Sequence, residues 1–426
     1  MRLVLLSDQI PPEGAGGAEA VVWRLARGLA DRGHDVHVVA TTRGDSFEDI
    51  RDGIPSYHIH SVYPERFRSW LSLWNPGAVG QLRTLLRRLR PQIVNAHNIH
   101  FYLSYHALKA ARDAGAATVF SAHDVMPFAY SKLRHFARGG PRQIDSPDSY
   151  RLPRFYNLKR NRFRYNPWRN RVIRRYLGHY ADRRTVPSQA LADAFRVNGL
   201  PPADVVHNGI DLRAWSAADR ALVRKLQDRL DLEGKQVILI AGRLTPDKGT
   251  VPLLKAVDAL KERLPGMRIL ALTNRDIDEQ IPAAFAHLRP LIRAGGWLGG
   301  AELRAAFELA DLVAVPSVIF DTFPTVNLEA MASGKAVIAT CFGGSPEIVV
   351  DGETGFIVNP FETATLADRL RRLLEDRDLS REMGRRGRAR VGERFTLDRQ
   401  VEQMLALYAR ARDDSRSPGG KPYETG

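Results

Sequence analysis

Two cations, Arg243 and Lys248, lie in the stretch Gly242-Arg243-Leu244-Thr245-Pro246-Asp247-Lys248-Gly249, directly after the apolar run Val237 to Ala241. That run reads as a strand, which puts both charges at a strand's carboxyl edge, where open α/β sheets bind ligands. A fixed Arg and Lys there can stabilise the negative charge that a diphosphate gains as its bond to a sugar breaks. Two ordinary surface cations on a solvated loop would look the same. Two carboxylates, Asp321 and Glu329, stand eight residues apart within Pro316 to Gly334. Pro324 suits the first turn of a helix and Gly334 its end. The N–H groups of Thr325, Val326 and Asn327, next to Phe323, are therefore expected to point at a ligand. One carboxylate could reach a sugar ring and the other the hydroxyls of a ribose. Equally, Asp321 could be a helix-end charge and Glu329 a surface residue.

Gly14-Ala15-Gly16-Gly17-Ala18-Glu19 matches a dinucleotide fingerprint in its first two glycines only, and Ala40-Thr41-Thr42 lacks the acid that should end the second strand. A nicotinamide site is excluded. What remains at Gly16 and Gly17 is either a plain tight turn or a helix N-terminus suited to an anion or a sugar. His97 and His100, in Asn95-Ala96-His97-Asn98-Ile99-His100, and His123, in Ser121-Ala122-His123-Asp124, follow apolar runs. Such histidines can be satisfied strand-end residues; His97 and His100 also suit contact with an acceptor. Asp276-Ile277-Asp278 has the form of a metal-binding Asp-x-Asp but leads into a helix, so favourable acids at a helix start are the expected reading and no metal site is assigned.

These residues need elements to hold them. The chain has 426 residues, 44% hydrophobic and 26% charged, which favours two domains over one. The lone Cys341 excludes an internal disulfide and suits a reducing compartment. Short apolar runs at Leu3 to Leu6, Val36 to Ala40, Ile93 to Ala96 and Thr118 to Ala122 alternate with helical patterns, the first from about Ala18 to Arg32. The rhythm restarts with Val237 to Ala241, a helix from about Gly249 to Arg263, Arg268 to Leu272, Leu312 to Val315 and Ala336 to Ala339. The expected fold is α/β, with two doubly wound Rossmann-like domains facing a cleft. An N-terminal domain over 1–210 would precede a C-terminal one over 211–394. A helix over 395–412 would return to the first domain, ahead of a disordered tail over 413–426.

Gly-Arg-Leu-x-x-x-Lys-Gly at Gly242 to Gly249, with the acid and Glu at Asp321 and Glu329, resembles the retaining GT-B glycosyltransferases of family 4 type, which include bacterial mannosyl- and N-acetylglucosaminyltransferases. Gly16-Gly17-Ala18-Glu19, Arg32-Gly33-His34, Ala122-His123-Asp124, Val186-Pro187-Ser188, Asn208-Gly209-Ile210-Asp211, Gly343-Gly344-Ser345-Pro346-Glu347 and Asp351-Gly352-x-x-Gly355 fall in the family's order along nearly the whole chain. The resemblance implies a metal-independent transfer with no cofactor beyond a nucleoside-diphosphate-sugar. Arg243 and Lys248 would hold the diphosphate and Glu329 the ribose. Asp321 and nearby backbone amides would hold the donor sugar, with His123 reaching that sugar from across the cleft. The family usually has Glu at 321 and Gly at 324, and a Gly-x-Gly where this chain reads Thr273-Asn274-Arg275, so the sugar and the base stay open.

The net charge of +15 sits largely in one place: twelve arginines and two lysines between Ser131 and Arg175 face only Asp145 and Asp148. Phe155, Tyr156, Phe163, Tyr165, Trp168 and Tyr176 are interleaved with them. The expectation is contact with an anionic membrane surface or an anionic acceptor, with Trp70 and Trp74 either adding an apolar foothold or buried. The acceptor is expected to be a glycan, a lipid-linked or a small molecule, in cell-envelope or polysaccharide synthesis, and the enzyme cytoplasmic and peripheral to the inner membrane face. A basic nucleic-acid-binding protein and a GT-B-shaped sugar-nucleotide epimerase are the rival readings.

Overall fold

The computed structural model describes residues 1–12, 14, 16–134, 146–215, 218–242 and 244–416. Arg243, the central part of the basic run and the polar tail from Ser417 on lie outside the described residues. The chain divides into two compact units.

The first unit takes the described residues of Met1–Leu133, Ser146–Gly209 and Leu397–Gly426. Its strands are β1 (Arg2–Leu6), β2 (Asp35–Thr42), β3 (Phe47–Arg51), β4 (Ile54–His60), β5 (Ile93–Ala96), β6 (Ala117–Ser121), β7 (Arg183–Val186) and β8 (Asp204–Val205). They lie in the order β3-β4-β2-β1-β5-β6-β7-β8, parallel except where β3 pairs antiparallel with β4. The four apolar runs are the central strands β2, β1, β5 and β6. Both their faces are covered, which is why they read as near-continuous hydrophobic stretches. The outer strands carry no such run. β3 is exposed along most of its length, and β7 begins with Arg183 and Arg184. A local signal for the hairpin does exist: its turn is Asp52-Gly53, both residues at positive φ.

The last helix, Leu397–Arg416, belongs to this unit. It lies against Gly17–Ala30 because Gly28 has no side chain; a Cβ there would come 2.7 Å from Val401 Cγ2. Asn95 Nδ2 donates to Tyr408 Oη at 2.9 Å, and Arg32 pairs with Asp398 at 3.0 Å. The helix starts two residues later than its apolar pattern suggests. Phe395 stays with the second unit, packed edge-on to Phe323 at 5.8 Å.

The second unit takes in Ile210–Thr396 together with Arg134. Its six strands are all parallel: β9 (Gln236–Ala241), β10 (Met267–Leu272), β11 (Ile292–Ala294), β12 (Leu312–Val315), β13 (Ala336–Thr340) and β14 (Gly355–Val358). The order β11-β10-β9-β12-β13-β14 reverses direction between β9 and β12. Loops leaving those two strands therefore stand at the switch point, where ligands bind in such sheets. Separate apolar clusters fill the two faces, one around Leu254, Ile338 and Leu370, the other around Phe307, Leu328 and Phe395. Among the described residues no helix is long and apolar enough to cross a membrane.

Candidate active site

In the second unit two loops are locked together at the switch point. Gly249 closes the loop after β9 at φ +80°, and a Cβ on it would strike the Pro316 carbonyl after β12. The Val318 N–H also donates to the Asp247 carbonyl at 3.0 Å. This close approach brings the predicted residues into contact: Lys248 Nζ meets Asp321 Oδ2 at 2.6 Å, and Ser317 Oγ lies 3.2 Å from the same oxygen. Asp321 and Lys248 are thus a half-buried ion pair rather than two separate groups awaiting a ligand. The Asp321 backbone is held in turn by the 343–344 turn. Gly344 N–H donates to its carbonyl at 2.9 Å, and a side chain at Gly343, φ +72°, would collide with it.

The helix after this loop is Thr325–Ala332, with Pro324 as its N-cap and no side-chain cap. Thr325 and Val326 open it, as expected. Asn327 does not: its N–H turns back to the Pro324 carbonyl at 3.1 Å, and its buried side chain donates to Ser345 Oγ at 3.2 Å. Phe323 is buried against Phe395, so only its backbone is left to face a ligand. Glu329 is half-buried on the same helix. Gln280, which motif reading passed over, ties the loops after β9 and β10 together, accepting from Leu244 N–H at 3.0 Å and Thr273 Oγ1 at 3.2 Å. The Asp276-x-Asp278 pair is a helix start: Asp276 caps the N–H of Asp278 at 2.9 Å, and Asp278 pairs with Arg289.

In the first unit β1, β5 and β6 are neighbours, and their carboxyl ends gather the histidines. His97 Nδ1 and His123 Nε2 are 2.8 Å apart with rings inclined by 15°, and His100 Nε2 stands 3.3 Å from Asp124 Oδ2. Burial holds the His97 imidazole well below its ordinary pKa and brings His123 down to about 4, so both rings are neutral at pH 7 and one N–H links them. Asp8 anchors the segment that carries His97 and His100. Its carboxylate accepts the N–H groups of Phe101, Tyr102 and Leu103 at 2.6, 2.8 and 2.8 Å. Burial still outweighs these three donors and pushes the Asp8 pKa up to about 7.

The glycine turn after β1 lies beside an acid of its own chain. Glu19, the third residue of the Gly17–Ala30 helix, folds back so that its carboxylate accepts the Gly16 N–H, one half of a capping box. A Cβ on Gly16 would overlap that carboxylate. The residue that spoils the dinucleotide pattern is therefore the one that covers the turn.

Two family profiles cover most of the chain: Glycosyltransferase Family 4 matches residues 15–214, and Glycosyl transferases group 1 matches residues 224–390. The chain is a glycosyltransferase of the family 4 type. It is 29% identical to the D-inositol 3-phosphate glycosyltransferase of Actinosynnema mirum, over 94% of this chain and 93% of that one. It is 26% identical to the alpha-maltose-1-phosphate synthase of Mycolicibacterium smegmatis, over 96% and 99%. Among solved structures it resembles the UDP-glucose complex of Anabaena HepE, with TM-score 0.70, 20% identity and coverage of 96% and 99%. It also resembles the sucrose-phosphate synthase of Thermosynechococcus elongatus, with TM-score 0.72, 19% identity and coverage of 96% and 98%. The fold is GT-B.

The basic segment of this glycosyltransferase is not uniformly solvated. Phe155, Phe163 and Trp168 are exposed, Phe163 by 88%, whereas Tyr165 is buried and Tyr176 Oη bonds His106 at 2.7 Å. Trp70 and Trp74 are exposed, not buried. The Asn166 N–H donates to Ser69 Oγ at 3.2 Å, which draws the Trp70 and Trp168 segments together. Arg134 pairs with Asp247 at 2.9 Å within the second unit. Arg169, by contrast, is wholly enclosed, and neither composition nor motif marks it out.

Proposed function

We propose that this glycosyltransferase performs a retaining, metal-independent transfer from a nucleoside-diphosphate-sugar whose diphosphate is bound by Arg243 and Lys248. The observation that carries the reading is the Lys248–Asp321 pair at the β9/β12 switch point, directly before the Thr325–Ala332 helix. An arriving diphosphate competes with Asp321 for Lys248. That exchange frees the carboxylate to accept hydrogen bonds from sugar hydroxyls, while the N–H groups of Thr325 and Val326 and the helix dipole face the leaving group. Asp321 is one methylene shorter than the usual Glu, and its carbonyl is anchored to the 343–344 turn, so its reach is restricted to one edge of the sugar. Glu329 is assigned the ribose. The neutral His123, oriented by His97, is assigned a sugar hydroxyl as a hydrogen-bond partner. As the glycosidic bond breaks, the electron pair leaves with the nucleoside diphosphate, which takes up the acceptor proton as the new bond forms on the same face.

Uracil is the first base to test, since HepE is described with UDP and UDP-glucose and another solved neighbour, from E. coli, with UDP-2-fluoro glucose. The acceptor is proposed to be a glycan, a lipid-linked or a phosphorylated small molecule. Exposed Trp70, Phe163 and Trp168 beside arginines support a peripheral membrane position. A thermal-shift panel of UDP, GDP and ADP identifies the base, because a bound nucleotide raises the unfolding midpoint. With the matching donor, nucleoside diphosphate release should persist in chelator and collapse in Lys248→Met. Release that requires a divalent ion, or that survives Lys248→Met at full rate, refutes the reading.

A further inference from the structure

Gln280 closes the four-residue helix Ile277–Gln280, which follows β10 by a short loop. The helix is pinned at its start: Ile277 is buried in the core, and Asp276 caps the Asp278 N–H at 2.9 Å. A carboxamide offers two donor hydrogens and an acceptor oxygen with two lone pairs. In Gln280 all of these are used. Oε1 accepts the Leu244 N–H at 3.0 Å and the Thr273 hydroxyl at 3.2 Å, and Nε2 donates to the Arg275 and Asp276 carbonyls, both at 3.1 Å. The backbone partners have fixed polarity, so the amide has one orientation. Thr273 Oγ1 in turn accepts the Arg275 N–H at 3.3 Å. With no hydrogen-bonding capacity left over, Gln280 has nothing to offer a ligand and acts only through where it holds its partners.

Leu244 is the partner that bears on the site. It lies in the loop that leaves β9 and leads to Lys248, and it is buried. At the strand end the Gly242 N–H donates to the Leu272 carbonyl of β10 at 3.2 Å. Further along, the same loop is braced against the segment after β12, where the Val318 N–H meets the Asp247 carbonyl and Gly249 abuts Pro316. The loop that carries Lys248 is therefore held from both sides of the switch point: by backbone contacts toward β12, and, beyond the strand end, by the Gln280 side chain toward β10.

We propose that Gln280 is a positioning residue for donor binding, which keeps residues 244–248 in the shape that receives the nucleoside diphosphate. The proposal rests on the assignment of Lys248 to the diphosphate, but its consequence differs from that of Lys248 itself. Lys248 meets the charge that grows on the leaving group, so its loss falls on kcat. Gln280 arranges the loop before the ligand arrives. Without it, the ordering of the loop draws on the binding energy of the ligand, so the loss falls on Kd and KM while the bound complex reacts as before.

The test uses the full chain, with titration calorimetry for the preferred nucleotide and steady-state kinetics for nucleoside diphosphate release. Gln280→Leu leaves the Leu244 N–H without its acceptor and should raise the nucleotide Kd and the donor KM by about tenfold, with kcat held within about twofold. Thr273→Val keeps the shape of the side chain, removes its bond to Oε1 and should raise both constants by about threefold. Added to Gln280→Leu it should weaken binding no further, because both act through one amide. Glu279→Gln, at the exposed position next to it, should match the wild type. A glutamine that serves stability alone would lower the unfolding midpoint of Gln280→Leu and leave the Kd of the folded protein unchanged; that result overturns the proposal, and so does a loss confined to kcat. Should Gln280→Leu not fold, Thr273→Val decides, and an unchanged Kd there overturns it equally. A wild type that binds none of the nucleotides refutes the donor reading and this proposal with it, whereas nucleotide binding that is indifferent to Gln280→Leu removes the positioning role alone.

Discussion

Replacing Gly249 with Ala tests whether the two switch-point loops depend on a backbone contact. Three glycines of the second unit form a series. Gly266 has no positive φ and open space around it; Gly296 sits at φ +83° with open space; Gly249 sits at φ +80° with the Pro316 carbonyl in the way, its carbon 2.7 Å from where a Cβ would be. Alanine at 266 should be neutral, and at 296 it should destabilise by about 1 kcal/mol through left-handed strain alone. At 249 the same strain is joined by a collision with backbone, which cannot rotate away, and a total of about 3 to 4 kcal/mol is expected. For a unit of this size those values lower the unfolding midpoint by roughly 3 °C and roughly 10 °C respectively. Scanning calorimetry with and without the preferred nucleotide reads both effects, since the nucleotide marks the transition of the unit that binds it. Gly249→Ala should also lose most nucleotide stabilisation, because moving the loop away from Pro316 shifts Lys248 from the place where it would meet the diphosphate. A midpoint for Gly249→Ala no lower than that for Gly296→Ala would show that the two loops are not braced by this contact.

Lys248→Met should reduce nucleoside diphosphate release by about a hundredfold or more, the scale seen when one charge-stabilising donor is removed. The fold should change little, because the Lys248 side chain is 40% exposed. Asp8 predicts a pH dependence: its folded pKa of about 7 lies above the ordinary 3.8, so between about pH 4 and 7 the folded state holds a proton that the unfolded state has lost. Stability from this residue is therefore full below pH 4, falls by about 1.4 kcal/mol for each pH unit across that window, and is level above it. Asp8→Asn should remove that slope in urea titrations taken from pH 4 to 8. Where the Gly17–Ala30 helix meets the last helix, Gly28→Ala should destabilise by about 1 to 2 kcal/mol through contact with Val401 Cγ2, and adding Val401→Ala should recover part of it. Additive effects in that double-mutant cycle would mean the two helices do not meet at this point.

The central strands were legible because burial on both faces leaves one signature, an apolar run between helices. Edge strands leave no such trace. β3 and β4 pair at the sheet margin with Phe47 and Ile50 exposed, and only Asp52-Gly53 announces their turn. Glycines were legible as turns but not as contacts. Nothing in the residues around Gly249 says that it touches Pro316, and nothing around Gly28 says that it makes room for Val401. Gly16 is legible only in part for a related reason: spacing marks a helix start, but not that Glu19 folds back over it.

The two units differ in how their candidate chemistry is written along the chain. In the second unit Arg243 and Lys248 lie five residues apart in sequence, in the stretch that follows β9, and Asp321, Thr325 and Glu329 share the loop after β12 and the helix it feeds. Local geometry and charge are then enough to suggest a diphosphate. In the first unit Asp8, His100 and Asp124 come from different loops and meet through the order of β1, β5 and β6, while Arg68 and Arg169 come from two helices. The least legible of them is Arg169, on the buried stripe of its helix. In the sequence, Arg169 is one of twelve arginines in a run that net charge alone would assign to a solvated surface. Enclosure is what distinguishes it: Arg169 is buried against the Tyr130 ring, whereas its neighbour Arg171 on the same helix is exposed.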